Sequence, residues 1–333
     1  MLCFYDQYGR KDLPWQLNKT AYSVWVSEIM LQQTQVKTVI PYYLRFMKSF
    51  ESVENIADAN IDDVLKHWEG LGYYSRARNL HACAKQVVEQ FNSKFPKTLT
   101  EIISLPGIGE STGGAILSLA YGLPEAILDG NVKRVLTRVF LVDGWYGNTK
   151  VSKELWQISR KYTPVKRTGD FNQAMMDLGA GICNRSNPQC EICPLSKYCE
   201  ANLQNKTEEY PHRKPKKKIP TKEVTMVLNF KGSKILLHKR PPTGIWGGLW
   251  SLPEQANLNP ETNQKPNKIT GKFKHAFSHY HLKATVISPN KHQQKNHQIE
   301  DNNEFAWHNV NQLNKLALPT PIKKFLYKYF KIK

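Results

Sequence analysis

Three things are scarce in this sequence: long apolar runs, acidic residues and cysteines. Hydrophobic residues make up 40% of the 333 positions, but no apolar run approaches the ~18 residues that a membrane-spanning helix requires. The sequence therefore predicts a globular protein without a membrane segment. Asp and Glu number 28 against 47 Lys and Arg, which gives a formal net charge of +19. This excess favours a polyanion such as nucleic acid as the partner, with a scattered, solvated cationic surface as the alternative.

Four of the six cysteines fall within seventeen residues, with the spacing C-x6-C-x2-C-x5-C. They are Cys183, Cys190, Cys193 and Cys199. Four thiolates need a soft metal partner, either one zinc ion or an iron–sulfur cluster. Zinc modules usually offer two short chelating pairs, whereas this run has one close pair flanked by single cysteines, which suits the wider cluster. Disulfides are not expected, because no secretory segment precedes the run. We therefore expect a reduced, cytoplasmic protein, associated with the nucleoid if it is bacterial.

The periodicity of the chain changes soon after these cysteines. Upstream, apolar residues recur three and four positions apart, which is typical of helices. The predicted helices are Tyr22–Lys37, Ile61–Trp68, Ala77–Phe91, Ser111–Tyr121 and Val132–Val142. Downstream, short runs of strand composition take over. The predicted strands are Val224–Phe230, Lys234–Lys239, Phe273–Phe277 and Lys283–Ile287.

The stretch 204–222 lies between the two patterns and is rich in Pro, Lys and Arg. Such a composition without apolar periodicity predicts an extended basic linker. The length of the chain fits about two domains. We therefore expect a helical domain over 1–203, a linker over 204–222 and a mixed α/β domain over 223–333.

A glycine-rich turn, Leu105–Gly109, separates two helical patterns within 99–121. Gly107 and Gly109 flank one aliphatic residue, so the turn exposes backbone N–H groups next to a helix N-terminus near Ser111. That arrangement can bind a phosphate oxygen without side chains. A plain helix–turn–helix connection would use similar residues.

Asp129 precedes another predicted helix, about twenty residues after the turn. The N-terminus of a helix favours an ionised carboxylate through its free N–H groups and its dipole. An N-cap with no further role is the alternative interpretation of this residue alone.

The combination of hairpin, Asp and four-cysteine run resembles the endonuclease III superfamily of DNA glycosylases, and within it the MutY-type adenine DNA glycosylases. The segments that carry the resemblance are Leu13-Pro14-Trp15, Trp25–Val36, Gly70–Asn79, Leu128–Leu136, Phe171–Gly179 and Cys183–Cys199. The resemblance implies a multidomain fold. Its parts are an all-α helix-hairpin-helix glycosylase domain with an iron–sulfur subdomain, and an α+β Nudix-like C-terminal domain. It also implies a 4Fe-4S cluster on the four cysteines.

Two carboxylates are the candidate catalytic pair. Glu28 lies in a predicted helix with Trp25 and Gln32 on its own face, and a carboxyl buried beside an indole has a raised pKa that suits a general acid. Asp129, held ionised, suits the stabilisation or covalent capture of an oxocarbenium-like sugar. The resemblance places proton donation to adenine N7 on Glu28 and contact with C1′ on Asp129, with Asn131 and Ser111 in support.

Ser111 bears on the type of reaction. Superfamily members that cut the DNA backbone carry a lysine at this position, because β-elimination proceeds through a Schiff base. A serine hydroxyl cannot form that imine. We therefore expect base removal alone. The alternatives are a bifunctional glycosylase/AP lyase and a non-catalytic DNA-binding iron–sulfur protein.

The resemblance also implies DNA contacts. Gln33 and Tyr73 would wedge into the gap that the extruded adenine leaves. A core tyrosine is the alternative for Tyr73. Gly107 and Gly109 would contact phosphate through their N–H groups. Further candidates for phosphate contacts are Arg185, Lys133, Arg76, Arg78 and Arg134. Surface charge without a DNA contact is the alternative for the last four.

The C-terminal half resembles a Nudix domain around Lys239–Pro253. A Nudix hydrolase needs an acidic helix for magnesium, and only the scattered Glu254 and Glu261 follow, so we expect no pyrophosphohydrolase activity. The family uses this domain to recognise 8-oxoguanine, and the segment Phe277, Ser278 and His279 matches its recognition loop. Solvated or packing histidines are the alternative.

The expected partner is double-stranded DNA with adenine opposite 8-oxoguanine or guanine. Base removal leaves an abasic site, so downstream abasic-site repair enzymes are implied. We expect a monomer without a membrane attachment.

Overall fold

The computed structural model describes residues 1–215, 218–257, 268–288 and 304–332. The chain forms two compact units. Unit 1 consists of Met1–Asp58 and Asn79–Lys216, and unit 2 of Ala59–Arg78 and Lys217–Lys333. In the described residues, no helix is long and apolar enough to cross a membrane.

Fourteen α-helices are present in the described residues. They are α1 (Leu2–Tyr8), α2 (Pro14–Leu17), α3 (Ala21–Leu31), α4 (Val36–Ser49), α5 (Val53–Asp58), α6 (Ile61–His67), α7 (Ser75–Phe91), α8 (Leu99–Ile103), α9 (Glu110–Tyr121), α10 (Gly130–Val139), α11 (Thr149–Tyr162), α12 (Thr168–Asp177), α13 (Glu200–Leu203) and α14 (Thr320–Phe330). All except α6, the start of α7 and α14 belong to unit 1.

Four of the five predicted helices are confirmed to within a few residues. The exception is Tyr22–Lys37, which was wrong as a single helix, because α3 ends at Leu31 and α4 begins at Val36. Gln33 between them has φ of 56°. A side-chain-bearing residue in the left-handed region cannot continue a right-handed helix.

The core of unit 1 lies between α9, α10 and α12, and α12 packs against both α9 and α10. In α10 the buried apolar residues Val132, Val135 and Leu136 recur at helical spacing and face this core. Helix α3 also packs against α9. The N-terminus of α10 is thereby fixed by burial of its apolar face, which sets the position of Asp129 at its first turn.

The predicted linker is only partly extended. Tyr210 is buried, with 6% of its surface exposed, and its carbonyl accepts a 2.8 Å hydrogen bond from Arg138 Nε. The Nδ1 of His212 accepts a 3.1 Å bond from the backbone N–H of Gly144. The beginning of the predicted linker therefore packs on unit 1, because buried Arg138 needs acceptors there.

Unit 2 contains seven strands in the described residues, in two sheets. The strands are β1 (Thr221–Val227), β2 (Phe230–Lys231), β3 (Lys234–Lys239), β4 (Trp250–Ser251), β5 (Lys268–Ala276), β6 (His281–Ser288) and β7 (Phe305–Asn309). In one sheet β6 lies between β1, to which it is parallel, and antiparallel β5. In the other, β3 pairs antiparallel with β2, β4 and β7. Three of the four predicted strands are confirmed as parts of β3, β5 and β6. Val224–Phe230 was wrong as a single strand, because β1 ends at Val227 and β2 begins at Phe230. Strands β4 and β7 were not predicted.

Segment Ala59–Arg78 belongs to unit 2, although the sequence placed it in the helical domain. Ion pairs join Lys239 to Asp62 at 2.7 Å and Lys323 to Glu69 at 3.0 Å. Lys66 Nζ also donates a 3.0 Å bond to the carbonyl of Leu316. The segment is grouped by these long-range contacts, which composition does not reveal.

Candidate active site

Glu28 projects from α3, whose first turn is fixed by a reciprocal cap. The N–H of Ser23 donates to Thr20 Oγ1 at 3.1 Å, and the N–H of Thr20 donates to Ser23 Oγ at 2.9 Å. Glu28 is half-buried and lines a small cavity. The other residues of this cavity are Trp15, Gln16, Lys19, Val24, Ser27 and Leu119.

The pKa of Glu28 is raised from its ordinary value of 4.5 to about 8, first by burial and second by the charge of Asp129. The predicted direction is confirmed, but the surroundings differ from those predicted. The indole in the Glu28 cavity is that of Trp15, whereas Trp25 packs against Phe95 with ring centroids 5.1 Å apart. At neutral pH, Glu28 is thus protonated and can donate a proton.

Asp129 is the N-cap of α10, as predicted. Its Oδ1 accepts a 2.8 Å bond from the N–H of Val132, and its Oδ2 accepts a 3.1 Å bond from Asn131 Nδ2. Burial nevertheless raises the pKa of Asp129, and these bonds together with the charge of Arg134 only oppose that rise. The sequence predicted the lowering influence of the cap and missed the larger effect of burial.

Asn131 is held by Arg134, which sequence analysis took for a phosphate contact. That contact stays a prediction, while most of the guanidinium donors bond groups within unit 1. Its Nη2 donates to Asn131 Oδ1 at 2.9 Å and to the carbonyl of Gly179 at 2.7 Å. Its Nε donates to the carbonyl of Cys183 at 2.7 Å. A continuous chain of hydrogen bonds therefore runs from the backbone of the first cysteine to the carboxylate of Asp129.

Ser111 lies in the first turn of α9, and its hydroxyl accepts a 3.0 Å hydrogen bond from the N–H of Leu128. Leu128 immediately precedes Asp129 and is itself buried. The Ser111 side chain is therefore engaged in fixing the backbone that leads into the carboxylate.

The predicted hairpin connects α8 to α9. Gly107 has φ of 80°, and a Cβ there would lie 2.8 Å from the Cβ of Asn79, so the turn requires glycine. Gly109 is the N-cap of α9, and a Cβ on it would meet nothing within 4 Å. Both glycines are exposed while Leu105 and Ile108 are buried. The hairpin thus presents backbone N–H groups in open space.

Of the two predicted wedge residues, Gln33 belongs to unit 1 and Tyr73 to unit 2. Gln33 is exposed with φ of 56°, and Tyr73 is 47% exposed with φ of 49°. Left-handed backbone at residues other than glycine is uncommon and clusters at functional sites. The exposure of Tyr73 argues against the alternative of a core tyrosine.

The four cysteines of the run line one cavity. In the described residues, no three His, Cys, Asp or Glu side chains are arranged to hold a metal ion. Burial raises the pKa of Cys190, Cys193 and Cys199, in the case of Cys193 to about 11.

Arg138 was not singled out from the sequence. Only 1% of its surface is exposed, and its Nη1 lies 3.3 Å from Cys183 Sγ. Its guanidinium also donates to the carbonyls of Asn184 and Arg185 at 2.7 and 3.1 Å. The only signal in the sequence was its spacing of four residues from Arg134. The side chain of Arg185 is exposed, as a phosphate contact requires.

The remaining basic candidates differ among themselves. Arg76 is buried, with 8% exposed, and donates a 3.2 Å bond to the carbonyl of Gly72. Arg78 donates a 2.6 Å bond to the carbonyl of Gly247. One donor atom of each guanidinium thus bonds a carbonyl of unit 2, and their phosphate contacts stay a prediction. Lys133 is half-buried, with Nζ 5.9 Å from the centre of the Tyr146 ring.

The predicted recognition segment forms the turn between β5 and β6. Ser278 and His279 are exposed, with Ser278 Oγ 3.5 Å from His279 Nδ1. Phe277 is half-buried, and its ring packs at a tilt against that of Tyr280, with centroids 4.9 Å apart. Of the acidic residues that follow the Nudix-like stretch, Glu254 forms a 2.8 Å ion pair with Arg240, and Glu261 lies outside the described residues.

Comparison with known proteins agrees with this geometry. Residues 26–161 match the HhH-GPD superfamily of base excision DNA repair proteins, and residues 224–328 match the NUDIX domain. An adenine DNA glycosylase of Buchnera aphidicola subsp. Baizongia pistaciae (strain Bp) is 43% identical over 340 residues, covering 98% of this chain and 95% of the relative. The chain belongs to the adenine DNA glycosylases. It is therefore an enzyme that acts on N-glycosyl bonds of DNA, as predicted.

A more distant relative and two solved structures extend the comparison. The adenine DNA glycosylase of Homo sapiens is 36% identical over 308 residues, covering 76% of this chain and 56% of the relative. A thermostable thymine-DNA glycosylase superposes with a TM-score of 0.54 at 28% identity, over 61% of this chain and 93% of its own. Endonuclease III in a non-covalent complex with DNA gives 0.53 at 20% identity, over 61% and 92%. The predicted helical fold of the glycosylase part is confirmed.

Proposed function

We propose that this enzyme removes adenine opposite 8-oxoguanine or guanine and stops at the abasic site. The observation that carries the proposal is the pairing of Glu28, with a pKa of about 8, and Asp129 in one electrostatically coupled site. A carboxylic acid that is still protonated at neutral pH, next to a second carboxylate, is the arrangement that glycoside hydrolysis uses.

Glu28 supplies the proton. Its carboxylic acid protonates adenine at N7, so that the electron pair of the breaking C1′–N9 bond flows into a neutral leaving base. General acid catalysis of this kind contributes about 10²–10⁴ in rate.

Asp129 stabilises the charged sugar. Its carboxylate faces the positive charge that develops at C1′ and either stabilises it or bonds to it, after which water adds and the proton returns to Glu28. Asn131 and Arg134 fix the orientation of this carboxylate through the chain of hydrogen bonds described above. Ser111 fixes the backbone just before it.

Ser111 also limits the reaction to base removal. Its hydroxyl accepts the Leu128 N–H, and no amine stands at this position to form an imine with the opened sugar. A glycosylase/lyase is the second candidate, since Lys133 lies two residues beyond Asn131. The orientation of Lys133 towards Tyr146 disfavours it.

DNA contacts follow the exposed groups. The N–H groups around Gly107 and Gly109 bind a phosphate at the N-terminus of α9. Arg185 and Lys133 add charge to the phosphate contacts. Gln33 and Tyr73 enter the gap in the base stack once adenine has been extruded. All of these groups except half-buried Lys133 are exposed.

Phe277, Ser278 and His279 recognise the oxidised guanine. The N7–H and O8 of 8-oxoguanine are features that guanine lacks. A hydroxyl accepts or donates, and an imidazole can do either at its two nitrogens. The exposure of Ser278 and His279 beside the anchored Phe277 supports this role.

Cys183, Cys190, Cys193 and Cys199 hold a 4Fe-4S cluster. When bound, the cluster would keep the four thiols deprotonated and would tie the 183–199 loop together. Arg138 donates towards the sulfur of Cys183. Zinc is the alternative. The visible absorption of the purified protein and an iron content of about four atoms per chain distinguish the two.

We also propose that the enzyme acts as a monomer in the cytoplasm, on the nucleoid if it is bacterial, and passes its abasic product to a downstream repair enzyme. The decisive assay uses a duplex with adenine opposite 8-oxoguanine, analysed with and without alkali. Strand cleavage only after alkali supports base removal alone. Cleavage without alkali supports the lyase, and no cleavage at all contradicts the proposed substrate.

A further inference from the structure

The turn formed by residues 244–248, here called the Trp246 turn, contacts both the recognition loop and the first turns of α7. Trp246 has φ of 53°, and Gly244 and Gly248 have φ of 82° and 77°. A Cβ on Gly247 would lie 2.6 Å from the carbonyl oxygen of Pro242, so the turn packs tightly against the residues that precede it. Such a strained and crowded turn persists only where the surrounding structure fixes it.

One side of the Trp246 turn supports the recognition loop. The Trp246 ring is only 8% exposed, and its centroid lies 5.4 Å from that of Phe277 and 5.7 Å from that of His275. His275 and Phe277 pack edge to face at 4.5 Å. Arg240 lies over the outer part of the Trp246 ring, 6.0 Å from its centroid. Ser278 and His279 are therefore presented from an aromatic base that includes Trp246.

The other side of the turn is held by α7. The Nη1 of Arg78 donates a 2.6 Å hydrogen bond to the carbonyl of Gly247. A Cβ on Gly248 would lie 3.2 Å from Leu65 Cδ1 in α6 and 3.8 Å from Arg78 Cδ in α7, so the turn approaches both helices closely. The bond from Arg78 is charge-assisted, which makes it stronger than a bond between neutral groups.

Arg78 in turn lies on the first turns of the helix that begins just after Tyr73. The carbonyl of Gly72 accepts 3.2 Å bonds from both Trp68 Nε1 and Arg76 Nη2. The guanidinium of Arg76 lies 5.7 Å from the centre of the Tyr73 ring. Arg76 thus contacts the ring of the exposed Tyr73 and the carbonyl just before it, and Arg76 lies two residues from Arg78.

We propose that Arg78 and Trp246 are positioning residues that join Tyr73 to the recognition loop, so that the residue wedged into the base stack and the residues that identify the opposite base act as one element. The proposal rests on the roles given above to Tyr73 and Ser278. It adds to those roles that the preference for 8-oxoguanine depends on two residues that need not touch the DNA.

The test is a double-mutant cycle on Tyr73→Ala and Ser278→Ala. Affinity is measured for duplexes carrying a non-cleavable adenine analogue opposite 8-oxoguanine or guanine. The cycle is repeated in an Arg78→Met background, which keeps the aliphatic stem but removes the donor, and in Arg78→Lys, which restores a cationic donor. Lys239→Met is the matched control, because it removes the Lys239–Asp62 ion pair without touching the Trp246 turn.

In the wild type, we expect the two alanine substitutions to be non-additive by about tenfold in affinity for the 8-oxoguanine duplex. In Arg78→Met they should become additive within about twofold, and the preference for 8-oxoguanine should fall. Arg78→Lys should regain part of the coupling, and Lys239→Met should keep all of it.

Coupling that survives in Arg78→Met, or that disappears equally in Lys239→Met, overturns the inference while leaving the recognition role of Ser278 intact. A wild type without preference for 8-oxoguanine, or a Ser278→Ala variant with unchanged preference, overturns the proposed recognition itself and the inference with it. Circular dichroism and thermal unfolding of each variant separate these outcomes from misfolding.

Discussion

The charge of Asp129 adds to the effect of burial in raising the pKa of Glu28 to about 8. The two carboxyl groups therefore disfavour joint ionisation, and the proton stays on Glu28 at neutral pH. The hydrogen bonds that Asp129 receives at the N-terminus of α10 favour its ionised form and oppose the rise in pKa that burial causes. The charge of Arg134 acts in the same direction.

Replacing either carboxyl group should stop base release. Glu28→Gln removes the transferable proton, and Asp129→Asn removes the negative charge that faces C1′. We expect single-turnover rates at least ~10²–10⁴-fold below the wild type, with duplex affinity nearly preserved because neither group carries the phosphate contacts. Rates by quench-flow and affinities by gel shift check both parts. Turnover that survives in either variant contradicts the assignment.

Glu28→Gln should also make the protein more stable above neutral pH. The pKa of Glu28 rises from 4.5 in the unfolded chain to about 8 in the folded protein, so the folded state binds more protons in this window. The free energy of unfolding of the wild type therefore falls as the pH rises from 4.5 to 8. Because glutamine does not titrate, the variant should gain roughly 2–4 kcal/mol over the wild type at pH 9 relative to pH 5.

Urea denaturation of both proteins across this pH range measures the difference. Tyr22, whose pKa is raised by burial, is common to both and cancels in the comparison. A constant difference between wild type and variant from pH 5 to pH 9 contradicts a buried, protonated Glu28.

Arg134→Met should lower the rate of base release by a larger factor than it lowers the affinity for DNA. The substitution removes the donors to Asn131, Gly179 and Cys183, and the lost restraint on Asn131 frees the Asp129 carboxylate. We expect a rate loss of about 10- to 100-fold, the equivalent of one hydrogen bond to a charged group. Lys133→Met is the neighbouring control. It should instead weaken binding and reduce the salt dependence of affinity.

Ser111→Ala should destabilise the site locally. The buried N–H of Leu128 loses its only hydroxyl acceptor, at a cost of about 1–3 kcal/mol in the free energy of unfolding. Ser111→Thr retains the acceptor and serves as the control. An alanine variant as stable as the threonine variant shows that water replaces the hydroxyl at no cost.

Much of the helical unit could be predicted from the sequence, because apolar residues at helical spacing mark the faces that become buried. The helix break at Gln33 could not be predicted, because glutamine has no particular preference for the left-handed backbone that it adopts here. The raised pKa of Glu28 was predicted in direction, but with Trp25 as the neighbouring indole. Trp15, which is distant in sequence and shares the cavity, fills that place in the structure.

Arginine side chains were the least predictable part of the candidate site. Arg76, Arg78 and Arg134 were only candidates for phosphate contacts, because a cationic side chain on a helix gives no sign of its direction. Each finds carbonyl acceptors that lie between four and 169 residues away along the chain. The same long-range contacts assign Ala59–Arg78 to unit 2, against the boundary expected from composition.

The pH dependence of adenine release tests the central claim most directly. The measurement is the single-turnover rate on a duplex with adenine opposite 8-oxoguanine, from pH 6 to pH 10. With Glu28 as the acid, the rate should fall about tenfold per pH unit once the pH exceeds the Glu28 pKa of about 8. A rate that is constant or rising through that region contradicts proton donation by Glu28.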